Sequence, residues 1–236
     1  MSGPLAVEPL VLLPGLLCDR RLFAPQVPAL AAGRHVLIPE LTQDDSVAGM
    51  AARVLGGAPP RFALAGLSMG GYVALEVMRQ APDRVTRLAL LDTQARADTP
   101  EAMSRRRGLI ELAEKGEFRG VTPRLLPVLI HPSRLADEPL TGVVRAMAED
   151  TGRDAFLRQQ RAIMGRPDSR PSLPAIGVPT LVLCGREDAL TPLDLHLEMA
   201  AAIPDATLVV LPACGHLAPL ERPAAVTRQL QGWLEG

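Results

Sequence analysis

The sequence of 236 residues lacks the features of a membrane, secreted or nucleic-acid-binding protein. Residues 1–4 contain no basic residue, and the apolar stretch that follows them is broken by Pro9 and Pro14. The N-terminus therefore predicts neither a signal peptide nor a membrane span. The formal net charge is -1, and only Arg105, Arg106 and Arg107 form a compact basic run, which is too little to attract a phosphate backbone. We therefore expect a soluble, cytoplasmic protein with no nucleic-acid or membrane partner.

Cysteine is also scarce. Cys18, Cys184 and Cys214 are odd in number, lack the spacing of metal ligands, and occur in a chain too long to need disulfide bonds. We interpret all three as buried or near-surface free thiols, and we expect none of them to be a nucleophile.

The apolar residues make up 47% of the chain, enough for one sizeable core. Short apolar runs bounded by Gly or Pro predict buried strands at residues 9–13, 35–41, 61–67, 85–91, 179–184 and 206–211. Helical spacing between them predicts helices at residues 22–32, 47–55, 70–80, 193–202 and 223–234. Strands that alternate with helices indicate an α/β fold with a mostly parallel sheet and helices on both faces.

This alternation stops between Gln94 and about Ser172. Helix-like stretches at residues 101–115, 139–150 and 154–164 accompany a proline-broken apolar piece at residues 121–130. We interpret residues 95–172 as a helical lid inserted into a core formed by residues 1–94 and 173–236, because α/β proteins place their binding surfaces above the strand ends.

A Gly-Leu-Ser-Met-Gly motif at residues 66–70 follows a predicted strand and precedes a predicted helix. That context is the one in which a G-x-S-x-G turn presents a nucleophilic serine. Gly66 and Gly70 suit a turn so tight that side chains beside it would collide with neighbouring elements. Ser68 is therefore the candidate nucleophile, and the alternative is a small-residue turn in which Ser68 only caps the helix.

A serine hydroxyl needs a base to take its proton, so a histidine is required. His216 follows the last predicted strand and precedes the last helix, at the edge of the sheet where Ser68 is expected. His35 opens a strand at the wrong edge, whereas His131 in the insertion and His196 in an amphipathic helix are expected to be surface or lid residues.

A carboxylate must orient that imidazole and stabilise its protonated form. Asp188 directly follows the strand predicted at residues 179–184 and gives the chain order Ser, Asp, His. Asp92, which ends the preceding strand, and Glu187 remain alternatives for this role.

The oxyanion that forms during attack needs two backbone N–H donors. We expect one from Met69, directly after the nucleophile. The other is expected from the loop after the first strand, where Gly15 permits the turn and Leu16 is the first choice as donor, with Leu17 second.

Four motifs in order resemble the α/β-hydrolase family over residues 9–233: Leu-Pro-Gly-Leu at 13–16, the serine motif at 66–70, Gly-Arg-Glu-Asp at 185–188 and Gly-His at 215–216. The resemblance implies Ser68 as nucleophile, Asp188 as acid and His216 as base. It implies no metal and no organic cofactor.

The sequence departs from the family pattern in three places. Pro14 stands where the oxyanion loop usually has His, and the antiparallel N-terminal hairpin is missing, so we expect about six strands, all parallel. Residues 39–45 replace a Gly-rich loop, which predicts a shorter pocket wall there.

The insertion is loosely similar to the lids of small carboxylesterases and enol-lactone hydrolases. This likeness suggests hydrolysis of a small carboxylic ester through an acyl-enzyme intermediate. A lactonase, a thioesterase or a C–C bond hydrolase would use the same residues, and a ligand-binding protein without turnover is the alternative from another class. The expected partner is a small-molecule ester, and the choice between monomer and homodimer stays open.

Two features of the insertion bear on the substrate. Its apolar residues either line an acyl pocket or form the core of the lid itself: Leu109, Leu112, Leu125, Leu126, Met147, Phe156 and Ile163. The arginine run at residues 105–107 either holds a substrate carboxylate or forms a solvated helix face.

Overall fold

The computed structural model describes residues 7–236, so residues 1–4, where no signal peptide is predicted, lie outside the described residues. Strands β1 to β6 comprise Leu10–Leu13, Val36–Leu37, Phe62–Leu67, Val85–Leu91, Thr180–Gly185 and Ala206–Leu211. Helices α1 to α9 comprise Val27–Leu30, Val47–Gly57, Met69–Gln80, Pro100–Glu114, Leu126–Leu129, Glu138–Met164, Leu193–Ala202, Ala218–Glu221 and Pro223–Glu235. Short 3₁₀ turns lie at Arg20–Phe23, Pro82–Arg84, Pro132–Arg134 and Arg170–Ala175.

The described strands form one sheet in the order β2-β1-β3-β4-β5-β6. Every pairing in it is parallel, which confirms the predicted α/β fold. All six residues of β3 are buried, because helices cover both of its faces, and this explains its unbroken apolar run. Since all strands point the same way, the residues that follow them gather at one edge of the sheet.

Side chains alternate between two cores, one on each face of the sheet. Phe62 and Leu64 of β3 pack with residues of α2, α3 and α7. Ala63 and Ala65 face the opposite core, which includes residues of α1 and α9. The prediction of helices on both faces is therefore confirmed.

Two elements differ from their predicted bounds by more than two residues at one end, and proline is the reason in both, whereas the other strands and the other helices of the core agree to within two residues. The strand predicted at residues 35–41 is only Val36–Leu37, because Pro39 has no N–H to extend the ladder. The helix predicted at residues 22–32 is replaced by a 3₁₀ turn and the short α1, which begins beside Pro28.

The segment 95–172 contains helices and no strand among its residues, all of which the structure describes. Gly152 interrupts α6 with φ 77° and ψ 173°, so the two helices predicted at 139–150 and 154–164 are present as two halves of that element. The division of the chain into a core and a lid at these bounds stays a prediction. No helix among residues 7–236 is long and apolar enough to cross a membrane.

The expectation that His196 is a surface or lid residue is wrong. Its side chain is completely buried between α7 and the end of β4. Its Nε2 atom accepts a hydrogen bond of 3.0 Å from the backbone N–H of Thr93, and its Nδ1 atom lies 3.3 Å from the carbonyl oxygen of Pro192. These partners fit a neutral imidazole protonated on Nδ1, and burial lowers the pKa of His196 to about 4.

This buried histidine predicts a pH dependence of stability. An unfolded chain protonates His196 below its ordinary pKa of 6.5, whereas the folded protein keeps it neutral until about pH 4. The free energy of unfolding should therefore fall as the pH drops through this window, by about 3 kcal/mol from this group.

Urea unfolding at pH 7, 6, 5 and 4 measures this fall. In His196→Gln the slope between about pH 6.5 and 4 should be smaller than in the wild type, because the titrating group is gone. Gln43→Ala, a change at an exposed residue that does not titrate, is the control and should keep the wild-type slope. Equal slopes in all three proteins would contradict the assignment.

Candidate active site

The turn between β3 and α3 carries Ser68 in a strained backbone conformation. Its φ is 54° and its ψ is -115°, a region that residues other than glycine rarely adopt. The turn is held on both sides: the N–H of Ser68 donates to Leu91 over 3.0 Å, and the hydroxyl of Thr93 donates to the carbonyl of Ser68 over 2.7 Å.

Gly66 and Gly70 are required by close approach of backbone atoms. A Cβ on Gly66 would overlap the carbonyl of Gly70, and a Cβ on Gly70 would overlap the carbonyl of Leu13 in β1. The motif therefore lets α3 start directly against β3 and β1, as expected from its two glycines.

Ser68, His216 and Asp188 form one chain of hydrogen bonds. The Nε2 atom of His216 lies 2.9 Å from Oγ of Ser68, and its Nδ1 atom lies 2.8 Å from Oδ2 of Asp188. These partners fit an imidazole that donates from Nδ1 to the carboxylate and accepts the serine proton at Nε2. The three residues predicted from separate motifs are thus in direct contact.

Asp188 is held as an anion by its surroundings. Burial alone would raise the pKa of Asp188, but the charge of His216 and hydrogen bonds from His216 and Thr191 outweigh it, so the pKa lies below its usual value. Oδ1 accepts from the N–H groups of Leu190 and Thr191 over 2.8 and 3.0 Å, and Oδ2 accepts from the Thr191 hydroxyl over 2.6 Å.

The two alternative acids lie elsewhere and contact no imidazole atom of His216 among the described residues. Asp92 is completely buried and accepts from the N–H groups of Gly185 and Ala218 over 2.8 and 3.2 Å. Burial, followed by the charge of Asp188, raises the pKa of Asp92 well above its ordinary value. Glu187 accepts from the N–H of Cys214 over 3.0 Å. Both acids fix loops at this edge.

Two backbone N–H groups in the loop after β1, those of Leu16 and Leu17, were considered as oxyanion donors, and only one of them has no hydrogen-bond acceptor among the described residues. The N–H of Leu17 donates over 3.1 Å to Oε1 of Gln159, whereas the N–H groups of Leu16 and Met69 donate to no described residue. The positive φ in this loop is at Leu17, with 56°, and not at Gly15. A larger residue at position 15 is disfavoured by lack of space instead, since a Cβ on Gly15 would lie 3.2 Å from Cδ2 of Leu67.

Gln159 connects the helical segment to the core, a role that the sequence does not signal. It is completely buried in α6, and its amide nitrogen donates over 2.9 Å to the carbonyl of Leu41, while its oxygen accepts from Leu17. Residues 39–45 do not line the cavity described below, and their carbonyls serve instead as acceptors for α6.

Glu221 is a second residue that sequence reasoning missed. It is buried, with 1% of its surface exposed, and its Oε1 atom accepts from the N–H groups of Gly215 and Leu217 on either side of His216. Its Oε2 atom accepts from the N–H of His131 over 2.7 Å. Burial raises the pKa of Glu221. The carboxyl therefore ties the His216 loop to the helical segment.

A cavity of about 640 Å³ opens beside Ser68 and His216. Five of the seven apolar residues considered for an acyl pocket line it: Leu109, Leu112, Leu125, Phe156 and Ile163. The other two, Leu126 and Met147, are buried in the core beneath. Arg105 and Arg106 line the cavity, whereas Arg107 is exposed outside it.

The cysteines take no part in the hydrogen-bonded chain. All three are buried free thiols, and burial raises the pKa of Cys18 and of Cys184 to about 12. Among residues 7–236, no cluster of three or more His, Cys, Asp or Glu side chains is arranged to hold a metal ion.

Comparison with known families gives a match from β1 to α9. The profile described as the alpha/beta hydrolase family matches residues 10–229. The chain belongs to the α/β-hydrolase family. The matched residues include the whole sheet together with Ser68, Asp188 and His216, and exclude only the two ends of this α/β-hydrolase.

Relatives of this α/β-hydrolase are hydrolases whose names differ in substrate. A 2-hydroxy-6-oxononadienedioate/2-hydroxy-6-oxononatrienedioate hydrolase from Pseudomonas sp is 30% identical over 169 residues, which cover 68% of this chain and only 58% of that protein. The structure of a thermophilic esterase from Thermogutta terrifontis is 32% identical with a TM-score of 0.85, covering 97% of this chain and 89% of that one. The structure of the enol-lactonase from Burkholderia xenovorans LB400 is 27% identical with a TM-score of 0.85, and the match covers 97% of this chain and 92% of that one.

The contacts of Gln159 predict that Gln159→Leu destabilises this α/β-hydrolase. The N–H of Leu17 and the carbonyl of Leu41 would lose their buried partner, so the free energy of unfolding should fall by about 3 kcal/mol. Urea unfolding measures the loss. Gln43 is exposed and its side chain makes no hydrogen bond to any described residue, so Gln43→Leu is the control and should change stability by less than about 0.5 kcal/mol. A similar small loss in both variants would contradict the role assigned to Gln159.

Proposed function

We propose that the protein hydrolyses a small carboxylic ester through an acyl-enzyme intermediate, with Ser68 as nucleophile, His216 as base and Asp188 as orienting acid. The observation that carries this proposal is the unbroken hydrogen-bonded chain Ser68–His216–Asp188 at the wall of a cavity large enough for a small molecule.

In the first half-reaction, Oγ of Ser68 attacks the ester carbonyl while Nε2 of His216 takes the hydroxyl proton. The protonated imidazole then gives that proton to the departing alkoxide, which leaves as the alcohol. Asp188 stabilises the imidazolium through Nδ1. In the second half-reaction Nε2 of His216 takes a proton from water as the water oxygen attacks the acyl carbonyl, and the imidazolium then returns that proton to Oγ of Ser68 as the bond between Oγ and the acyl carbon breaks, which releases the acid and restores the free serine.

The negative charge on the carbonyl oxygen needs an oxyanion hole. We assign the N–H groups of Met69 and Leu16 to it, because both donate to no described residue, while the N–H of Leu17 is occupied by Gln159. Met69 lies at the first position of α3, so the helix dipole also favours negative charge there.

The cavity lining suits a substrate with an apolar part. Four leucines line the cavity although almost half of the surface of each is exposed: Leu109, Leu112, Leu125 and Leu190. Exposed apolar side chains around a cavity are expected to contact an apolar ligand rather than water. We accordingly propose that residues 95–172 act as a lid over the site. The location in the cytoplasm stays a prediction from the sequence.

A lactone is the second candidate substrate, since ring opening of a lactone is the same acyl transfer. The enol-lactonase aligns over 97% of this chain, which supports that reading. A ligand-binding role without turnover is less favoured, because it would leave the contact between Ser68 and His216 without a function. Kinetics on matched esters, lactones and thioesters would rank the substrates.

The nucleophile is tested with Ser68→Ala. Turnover of short p-nitrophenyl esters should fall to the background rate, and a fluorophosphonate should label the wild type at Ser68 but not the variant. Mass spectrometry of the labelled peptide locates the adduct. A folded wild type that neither labels nor turns over such esters would favour the binding role.

The acid is tested by a pair of adjacent variants. Asp188→Asn should lower kcat by about 10⁴-fold, because the amide no longer favours the imidazole tautomer that can accept the serine proton. Glu187→Gln is the matched control: its side-chain oxygen can still accept from Cys214, so kcat should change less than about threefold. Comparable losses in the two variants would contradict the assignment of Asp188.

A further inference from the structure

One wall of the catalytic cavity is polar. Its residues come from α3, from the loop after β4, from α4 and from α6: Tyr72, Gln94, Asp98, Arg106 and Gln160. The leucines described above line the same cavity, two of them on α4 as well. The cavity therefore offers both apolar and polar groups to a ligand.

The polar wall carries one negative and one positive charge, on Asp98 and Arg106, and a second arginine that does not line the cavity, Arg166, also binds Asp98. Asp98 is buried, and each of its oxygens binds a different guanidinium: Nε of Arg106 lies 2.7 Å from Oδ2, and Nη1 of Arg166 lies 2.7 Å from Oδ1. Because arginine stays protonated in proteins, two cations share one carboxylate and a charge of about +1 remains. The Arg166 guanidinium also lies 4.2 Å from the centre of the Tyr72 ring.

The same wall has hydrogen-bonding groups without a protein partner. Oε1 of Gln160 accepts from Nη1 of Arg106 over 2.8 Å, which fixes its amide so that the nitrogen is the free end. That nitrogen has no acceptor among the described residues, although Gln160 is only 2% exposed. The Tyr72 hydroxyl and the Gln94 amide, which also line the cavity, make no hydrogen bond to any described residue.

These groups lie close to the reacting serine. Tyr72 lies in the first turn of α3, and its backbone N–H donates over 3.2 Å to the carbonyl of Ser68, which directly precedes that helix. Gln94 follows Thr93, whose hydroxyl binds the carbonyl of Ser68. A group bound at the polar wall would therefore belong to the same small molecule as the scissile carbonyl.

Other charged groups line the cavity but fit a ligand less well. Arg105, Arg119 and Glu117 are all exposed, so water and salt screen their charges, and Glu117 opposes the two arginines. Their positions at the solvent side distinguish them from the five residues of the polar wall, none of which is exposed.

We propose that the polar wall binds a carboxylate of the substrate, so that the preferred substrates are esters or lactones bearing a free carboxylate a few bonds from the scissile carbonyl, such as half-esters of short dicarboxylic acids. Donor groups beside a surplus positive charge match a carboxylate, which accepts hydrogen bonds and carries the opposite charge. This inference rests on the function proposed above.

The test measures binding to Ser68→Ala by calorimetry, so that it does not depend on turnover. Monomethyl glutarate is compared with methyl 4-carbamoylbutanoate, its neutral amide of nearly the same shape. The half-ester should bind with a Kd at least about tenfold lower than the amide. Equal Kd values, or no binding of either compound up to about 10 mM, would overturn the proposal.

Further variants of Ser68→Ala identify which residues produce the preference for the half-ester over the amide. Adding Tyr72→Phe and Gln94→Met removes two polar groups that have no protein partner, and should reduce the tenfold preference to about threefold or less. Arg107→Met, a change in an exposed neighbour outside the cavity, should leave it intact. A preference that survives the double change but disappears in Arg105→Met would place the carboxylate at the solvent side and overturn the proposal.

The carboxylate site and the hydrolase mechanism can fail independently of each other, and the measurements tell these failures apart. If the wild type does not turn over esters but the half-ester still binds preferentially, the carboxylate site stands and the acyl-enzyme mechanism fails. If esters are turned over and the preference is absent, the mechanism stands and the carboxylate site fails.

Discussion

The structure depends most on the strained turn at Ser68, which only close packing of β1, β3 and α3 can hold. Leu17, Ser68, Asp92 and Ala213 are the non-glycine residues with positive φ among residues 7–236, and they follow β1, β3, β4 and β6 respectively. Each such conformation costs about 1–3 kcal/mol. Strain is thus confined to the one edge of the sheet where the candidate catalytic residues lie, and the buried strands beneath it offset the cost.

Buried polar side chains keep this edge in place. Asp92 joins the end of β4 to β5 and to the residues after His216, and Glu221 holds the backbone on both sides of that histidine. Gln159 extends the same support from α6 to the loop after β1. A buried group that loses its partner costs more than the bond itself contributes, so these contacts act together. The site therefore depends on the helical segment as much as on the sheet.

Sequence reasoning located the residues whose positions follow from strand ends. Ser68, Asp188 and His216 each come directly after a strand, and a parallel sheet brings such residues together whatever the details of packing. Gln159, Glu221 and the buried His196 were missed or misplaced, because their partners lie far away in the chain and no local spacing reveals them. The length of β2 was overestimated for a different reason, because the apolar pattern continues past Pro39, which has no N–H to extend the ladder.

The central claim is that this edge stabilises a tetrahedral oxyanion on Ser68. A crystal structure of the protein inactivated by a fluorophosphonate tests it most directly, because the phosphonyl oxygen occupies the oxyanion position. The account predicts a covalent bond to Oγ of Ser68, with that oxygen about 2.7–3.1 Å from the N–H groups of both Met69 and Leu16. An adduct whose oxygen points away from these two groups, or one attached to another residue, would contradict it.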